Sequence, residues 1–220
     1  YKTMDLTFME SVWWVFKQLF EKNMVYRGYK VMPYSTALTS VLANFEASLN
    51  YVTCKDPSIV VTCPVIGDAD GAAFLAWTTT PWTLPSNLAL CVNPGMKYDK
   101  SQVVDNSART ANVYICLESR VNALFPKDKK VKDENDKDVP RYNITVKQSY
   151  VGKELEGMRY EPFFPYFVEQ WQHRAFRVVS DDYVSADAGT GIVHTAPYFG
   201  EDDNRVSAKH GIIAKGGDVL

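Results

Sequence analysis

Apolar side chains at Met9, Val12, Trp13, Phe16, Leu19 and Phe20 recur at the roughly 3.6-residue period of a helix. This predicts an amphipathic helix over residues 4–22, with Asn23 as its stop. From about residue 50 the pattern changes. "SIVVTCPV", "AAFLAWT", "LALCVNP", "NVYICLE", "YNITVKQSYVG", "FRVVSDDYVS" and "GTGIVHTAP" are short runs rich in β-branched and aromatic residues, with Gly, Pro, Asn or Asp between most of them. Each predicts a strand, and Asp70-Gly71 predicts a tight turn. Two short helices are expected late in the set, over Ser119–Phe125 and Glu201–Lys209. The spacing favours a mainly β fold with some α (α+β class): a curved, barrel-like body with peripheral short helices and an N-terminal helix, rather than alternating βαβ units.

"PKDKKVKDENDKDVPR" (Pro126–Arg141) mixes six basic and five acidic residues. A core strand or a phosphate patch would not mix signs in this way, so a solvated hairpin or mobile loop is expected. A length of 220 residues suits one large domain, or one with a smaller appendage, and 46% apolar content is enough for a sizeable core. The net charge of −2 excludes a strongly basic nucleic-acid coat. It leaves room for a pocket that grips one strand end through a few local contacts. Cys54, Cys63, Cys91 and Cys116 form no CxxC pair, and His173, His194 and His210 fall at no zinc spacing. Reduced core thiols in a reducing compartment are expected, which makes the sequon Asn143-Ile144-Thr145 a chance match. The most apolar early stretch, Val12–Phe20, is broken by Lys17 and Gln18 and is too short to span a bilayer. A start at Tyr1 and a loop-like end, "GIIAKGGDVL", read as a piece of a longer protein.

Two stretches carry candidate chemistry. In "AWTTTPWTLPSN" (Ala76–Asn87) an apolar strand ends in a crowd of hydroxyls, indoles and prolines, more than a structural turn needs. In "DAGTGIVHTAPYFGEDD" (Asp187–Asp203) the strand residues Ile192-Val193 deliver His194, and Glu201-Asp202-Asp203 open a helix. Acidic residues in a first helical turn are favoured by the dipole, and Asp202 or Asp203 could be a plain N-cap. The pair Gly189 and Gly191 lacks the third glycine and the helix of a dinucleotide fingerprint. A magnesium site on the three carboxylates lacks further partners. Two strands that each end in polar residues around proline are how a barrel arms its mouth.

"WTTTPWTLPSN" and "GTGIVHTAPYFGEDD" closely resemble the two hallmark stretches of the editing domain inserted in isoleucyl-tRNA synthetases, class I. The related valyl and leucyl enzymes typically carry arginine where this chain has Thr80, and an acidic residue near Trp82. The opening "YKTMDLTFMESVWWVFKQL" is similar to the eukaryotic cytoplasmic type. The resemblance covers the whole chain, with residues 1–48 as connecting stem and 49–220 as editing body. The HIGH-like and KMSKS-like motifs of amino-acid activation are missing from the chain, so the implied reaction is hydrolysis of a mischarged product, valyl-tRNA(Ile). The resemblance implies no cofactor for that step, since ATP and Mg would serve a site elsewhere in the parent enzyme. It implies as partners the tRNA(Ile) 3′ end and the rest of the synthetase, with no membrane, a monomeric fragment and a cytoplasmic location. Such a second pocket answers a physical need. One missing methylene changes binding by only about 1–3 kcal/mol, a figure for which isoleucyl enzymes are themselves the standard example and not one derived from this chain.

Each part of the substrate then has a matching residue by motif. Asp203 would anchor the ammonium by a charge-assisted hydrogen bond. Trp77 and His194 would wall the aliphatic side chain. Thr78, Thr79, Thr80 and Thr83, with Asn87, would contact the terminal nucleotide and the ester. In an extended stretch Thr78 and Thr80 share a side and Thr79 opposes them. A Thr79–His194–Asp203 triad is conceivable, but the preferred mechanism is direct attack by water placed by the pocket and by the ribose hydroxyl. The competing readings are a module that binds aminoacyl-tRNA 3′ ends with little hydrolysis, and an editing domain of the valyl type.

Overall fold

The computed structural model describes residues 2–132 and 136–214. Residues 133–135 of the charged segment and the last six residues, 215–220, lie outside them. The chain divides into two compact units, Lys2–Lys30 with Ala214, and Val31–Ile213, so the expected boundary near residue 48 falls inside the second.

In the first unit the predicted helix is α1 (Leu6–Glu21). Asn23 takes a left-handed φ of +56°. The amides of Asn23 and Met24 donate to the carbonyls of Phe20 and Leu19, a Schellman-type stop. None of the helix residues is buried, Trp13 and Trp14 included.

The second unit opens with a two-residue strand pair, β1 (Tyr34–Ser35) and β2 (Ser40–Val41), and the single turn α2 (Asn44–Ala47). Strands β3 (Ile59–Pro64), β4 (Ala73–Thr78), β5 (Ala89–Val92), β6 (Lys97–Asp105) and β7 (Thr110–Leu117) follow, and then the turn α3 (Val121–Leu124). The charged segment forms the antiparallel hairpin β8 (Lys130–Lys132) and β9 (Asp138–Pro140). After it come β10 (Tyr142–Val151), the turns α4 (Gly152–Leu155) and α5 (Val168–Trp171), then β11 (Arg177–Ser180), β12 (Ile192–Thr195) and α6 (Glu201–Lys209). All seven predicted runs are strands. Eight strands form one mixed sheet in the order β10-β6-β7-β4-β12-β5-β11, with β3 on β4, and it curls into a half-barrel. Phe74, Leu90, Tyr98, Ile115, Tyr160, Val178, Ile192 and Val206 fill its core.

The eighth strand, β6, escapes sequence reading because Lys97, Asp99 and Lys100 break its alternation. Lys100 is buried, and its Nζ lies 2.6 Å from Asp68 Oδ2 and 2.7 Å from Asp70 Oδ2. Asp68 also accepts the amides of Asp70 and Ala72 at 3.0 Å each, which fixes the turn between β3 and β4. A buried charge satisfied in this way reads as solvent-facing until its partners are known. The thiols differ in part from expectation. Cys63, Cys91 and Cys116 are buried and unpaired, and burial pushes Cys91 and Cys116 up to about 12, but Cys54 is exposed and outside any strand.

Strand β4 governs what meets at the site. Every residue of β4 pairs with β3 on one edge. The other edge is shared, with Ala73 and Phe74 beside β7 and Trp77 beside Val193 of β12, in parallel register. On its far side β12 runs antiparallel to β5, with His194 opposite Leu90 and Thr195 opposite Ala89. The end of β4, the start of β5 and the middle of β12 are thereby adjacent.

Replacing Asp68 by Ala removes one carboxylate from buried Lys100 and, with Oδ1, the acceptor of two amide hydrogen bonds in the turn. Urea denaturation should show a loss of about 1–3 kcal/mol, the size of an unsatisfied buried polar group. Hydrogen bonds from Lys100, Ala72 and Asp70 outweigh burial and hold the Asp68 carboxyl below its ordinary value. This stabilisation is therefore present above the unfolded carboxyl pKa and is lost as pH falls through the lower folded one. The acid-limb difference between wild type and variant should vanish accordingly.

Candidate active site

Strand β4 ends at Thr78, and the chain turns at once. Thr78 Oγ1 accepts the Thr80 amide at 3.0 Å and lies 3.3 Å from Thr80 Oγ1, so these two threonines share a side as the alternation predicts. Pro81–Ser86 is a 3₁₀ segment that sequence reading left as an unspecified turn. Pro81 stands in its first turn, where no N–H is needed. Thr83 Oγ1 donates back to the Thr80 carbonyl at 2.8 Å, and the Asn87 amide donates to Leu84 O at 3.0 Å. The tight coil brings Thr83 and Asn87 inward, both almost fully buried, immediately before β5.

Both residues close on His194, which is 5% exposed. Asn87 Nδ2 lies 2.9 Å from His194 Nδ1, and Thr83 Oγ1 lies 2.9 Å from His194 Nε2. The donor sense of this chain is determined. The buried Tyr160 hydroxyl donates to Asn87 Oδ1 at 2.5 Å, and Asn87 Nδ2 also donates to the Ala89 carbonyl at 2.8 Å. The amide nitrogen therefore faces the imidazole, and Nδ1 must accept. The imidazole proton then sits on Nε2 and is donated to Thr83 Oγ1, whose own hydrogen goes to Thr80 O. Burial lowers the His194 pKa to about 4, so the ring is neutral at pH 7.

The opposite wall comes from α6. Its N-cap is Gly200 in an extended conformation, so neither Asp202 nor Asp203 caps the helix. Asp203 Oδ2 accepts the Ala196 amide at 2.9 Å. A Cβ on Gly200 would sit 3.1 Å from the Asp203 carboxyl carbon, so the loop passes too close for a larger residue to fit without movement. Burial raises the Asp203 pKa to about 6, although the Ala196 hydrogen bond pulls the other way, and the Asp202 charge adds to the rise. Asp202 itself is exposed and pairs with Arg205 at 2.9 Å. A third wall is the half-buried indole of Trp77. Gly189, at φ +66°, lies against it so closely that a Cβ there would be 2.8 Å from the ring. The glycines of "GTG" thus serve packing.

Between these walls lies a cleft of about 250 Å³. Trp77, Thr78, Thr79, Thr80, Thr83, His194 and Asp203 line it. Asn87 does not, because it stands behind His194. The structure brings the two stretches together, but not as a Thr79–His194–Asp203 triad. Both ring nitrogens of His194 are engaged by Thr83 and Asn87, and Thr79 is exposed. Sequence reasoning missed the lining residues Trp82, Val193, Phe199 and Gly200, and also Tyr160 behind the wall. Trp82, Val193, Phe199 and Gly200 lay within the quoted stretches, but Tyr160 gave no signal. A larger hollow of about 690 Å³ near Asn106, Arg109, Lys132 and Asn143 has no carboxylate, imidazole or thiol among its lining residues. Among the described residues, no group of three or more His, Cys, Asp or Glu side chains could hold a metal ion.

The sequence pattern of the class I tRNA synthetases (I, L, M and V) matches residues 1–196. The chain belongs to that family. Over its full length it is 52% identical to the cytoplasmic isoleucine–tRNA ligase of Arabidopsis thaliana, and over 98% of its length it is 51% identical to that of Saccharomyces cerevisiae. It spans 19% of either relative, about a fifth of a whole synthetase. Among solved structures, the P. knowlesi cytosolic leucyl-tRNA synthetase editing domain aligns over 76% of this chain and 68% of its own, with a TM-score of 0.52 and 15% identity. This class I synthetase segment therefore has the fold of an editing domain. No helix among its described residues is long and apolar enough to cross a membrane.

The hydrogen-bond chain makes three measurable demands. ¹⁵N–¹H spectra should show His194 as the neutral Nε2–H tautomer, with no titration between pH 5 and 8. Because its folded pKa lies below the unfolded value of about 6.5, it should add stability above pH 6.5 that is lost as pH falls toward 4. Tyr160→Phe should cost about 1–3 kcal/mol through the orphaned Asn87 oxygen, and the His194 signals should broaden or shift.

Proposed function

We propose that this chain is the proofreading segment of an isoleucyl-tRNA synthetase and hydrolyses valyl-tRNA(Ile) after transfer, in the cytoplasm. The observation that carries this reading is a single small cleft with a carboxylate on one wall and a rigid, charge-free wall opposite. The substrate's α-ammonium pairs with Asp203. Its isopropyl group lies against Trp77, Thr83 and His194; Thr83 Oγ1 and both nitrogens of His194 are already engaged within the protein, so this wall asks no hydrogen bond of the ligand. The additional methyl of isoleucine would need that wall to move, at the cost of the hydrogen-bond chain. Thr79 and Thr80, exposed at the opening, and Thr78, buried below them, offer hydroxyls to the ester and the terminal adenosine.

The bond changes are simple. A water oxygen attacks the ester carbonyl carbon, the carbon–oxygen bond to the ribose breaks, and the water proton passes to the ribose oxygen. Valine and an intact 3′ end leave. Because the one acceptor nitrogen of His194, Nδ1, is taken by Asn87 and its Nε2–H is held by Thr83, His194 is not the base; the geometry supports acceleration by orientation and hydrogen bonding to the developing oxyanion. This course forms no covalent enzyme intermediate.

Single-turnover deacylation of valyl-tRNA(Ile) tests the proposal. The rate should exceed that for isoleucyl-tRNA(Ile), with no trapped acyl-enzyme. Asp203 must be ionised to hold the ammonium, so kcat/KM should fall about tenfold per pH unit below about 6. Asp203→Asn should abolish that limb together with most of the activity. A folded pKa raised from 3.8 to about 6 means that the ionised carboxylate lowers stability at neutral pH, so the same variant should melt no lower than wild type at pH 7. A variant that keeps full activity would sink the assignment.

A further inference from the structure

Trp82 and Phe199 do nothing for the sieve, yet both line the cleft while remaining 67% and 50% exposed. Their rings meet edge to face, with centroids 5.3 Å apart and planes at 89°. One comes from the 3₁₀ segment after β4 and the other from the loop before α6, so the pair bridges the two arms of the cleft at its rim. In a perpendicular pair the edge of one ring covers a single face of the other, and at this exposure a flat aromatic surface stays open to solvent.

We propose that Trp82 and Phe199 form a stacking platform for the base of the nucleotide that precedes the terminal adenosine of a single-stranded RNA end. The proposal rests on the proofreading reading above and adds to it a subsite at the rim of the cleft. Three observations carry it. The cleft, at about 250 Å³, falls below the roughly 300–1,000 Å³ of pockets that enclose a drug-sized ligand, so an aminoacyl group and its nucleoside fill it and the preceding nucleotide lies at the rim. The residues lining the cleft include no Lys or Arg, so the strand has no cation there to hold its phosphates. What the rim does offer is exposed aromatic surface, and every base has a face that can stack on it.

Binding of non-hydrolysable ligands to the 220-residue chain tests this by calorimetry. The ligands are adenosine and the trinucleotide CCA, each free and as the 3′-valylamino analogue. Stacking of about 1–3 kcal/mol per base corresponds to a gain of about 5- to 150-fold from nucleoside to trinucleotide. Trp82→Ala should abolish that gain, weakening the trinucleotide more than the nucleoside; Trp82→Phe should keep it, and Phe199→Ala should reduce it. The gain should also change little between 50 and 200 mM salt, where phosphate–cation contacts would lose it steeply. Trp82 is exposed, so the Ala variant should keep the wild-type melting temperature. The platform is overturned if wild type binds CCA no tighter than adenosine, if Trp82→Ala weakens both ligands equally, or if the gain collapses with salt. If free CCA shows the Trp82-dependent gain while valylation adds nothing to binding, the platform stands and the proofreading reading falls.

Discussion

A buried imidazole has two polar atoms, and both must find partners. At His194 this requirement joins three separated parts of the chain: the coil between β4 and β5 with Thr83 and Asn87, His194 on β12, and Tyr160 beyond β10. Any arrangement that moved β12 relative to β4 would leave at least two of these groups unpaired, each at a cost of about 1–3 kcal/mol. The sheet register and the polar chain therefore hold each other in place. The position of the His194 wall of the cleft follows from this interlock, since Thr83 and His194 both line the cleft and hold each other by a hydrogen bond.

The opposite wall obeys a contrary rule. Asp203 keeps one hydrogen bond, from the Ala196 amide, and burial pushes its carboxyl up to about 6. Held charged near neutral pH, it is a carboxylate that a bound ammonium would relieve. A fully paired neutral histidine and an under-compensated acid line one hollow, and that contrast is the physical ground for the proposed preference for a cation carrying a short apolar arm. Gly200 permits the acid its close approach, and Gly189 backs Trp77.

Much of this could be read along the chain. Strands that bury one apolar run between turn residues appear as such, and α6 runs over Glu201–Lys209 as predicted, because acids favour its first turn and a basic residue its last. Strand β6 was hidden because Lys100 looks solvated until Asp68 and Asp70 are seen to surround it. The 3₁₀ coil was hidden because two prolines and a string of threonines are equally good in an open turn. Of the eight residues singled out for the site, seven line the cleft. The eighth, Asn87, supports the wall from behind, a distinction that depends on depth and not on residue type.

By itself the sequence determined the local propensities, the two polar strand ends, the acid at Asp203 and the family to which they point, because these depend on neighbours a few positions away. Only the tertiary structure decided that Trp77 lies beside Val193, that Asn87 and Thr83 hold both nitrogens of His194, and that Tyr160 completes the set. Those contacts span 73 to 111 positions in the case of the hydrogen bonds. Long-range pairing is fixed by the closing of the sheet, which no local window of sequence contains.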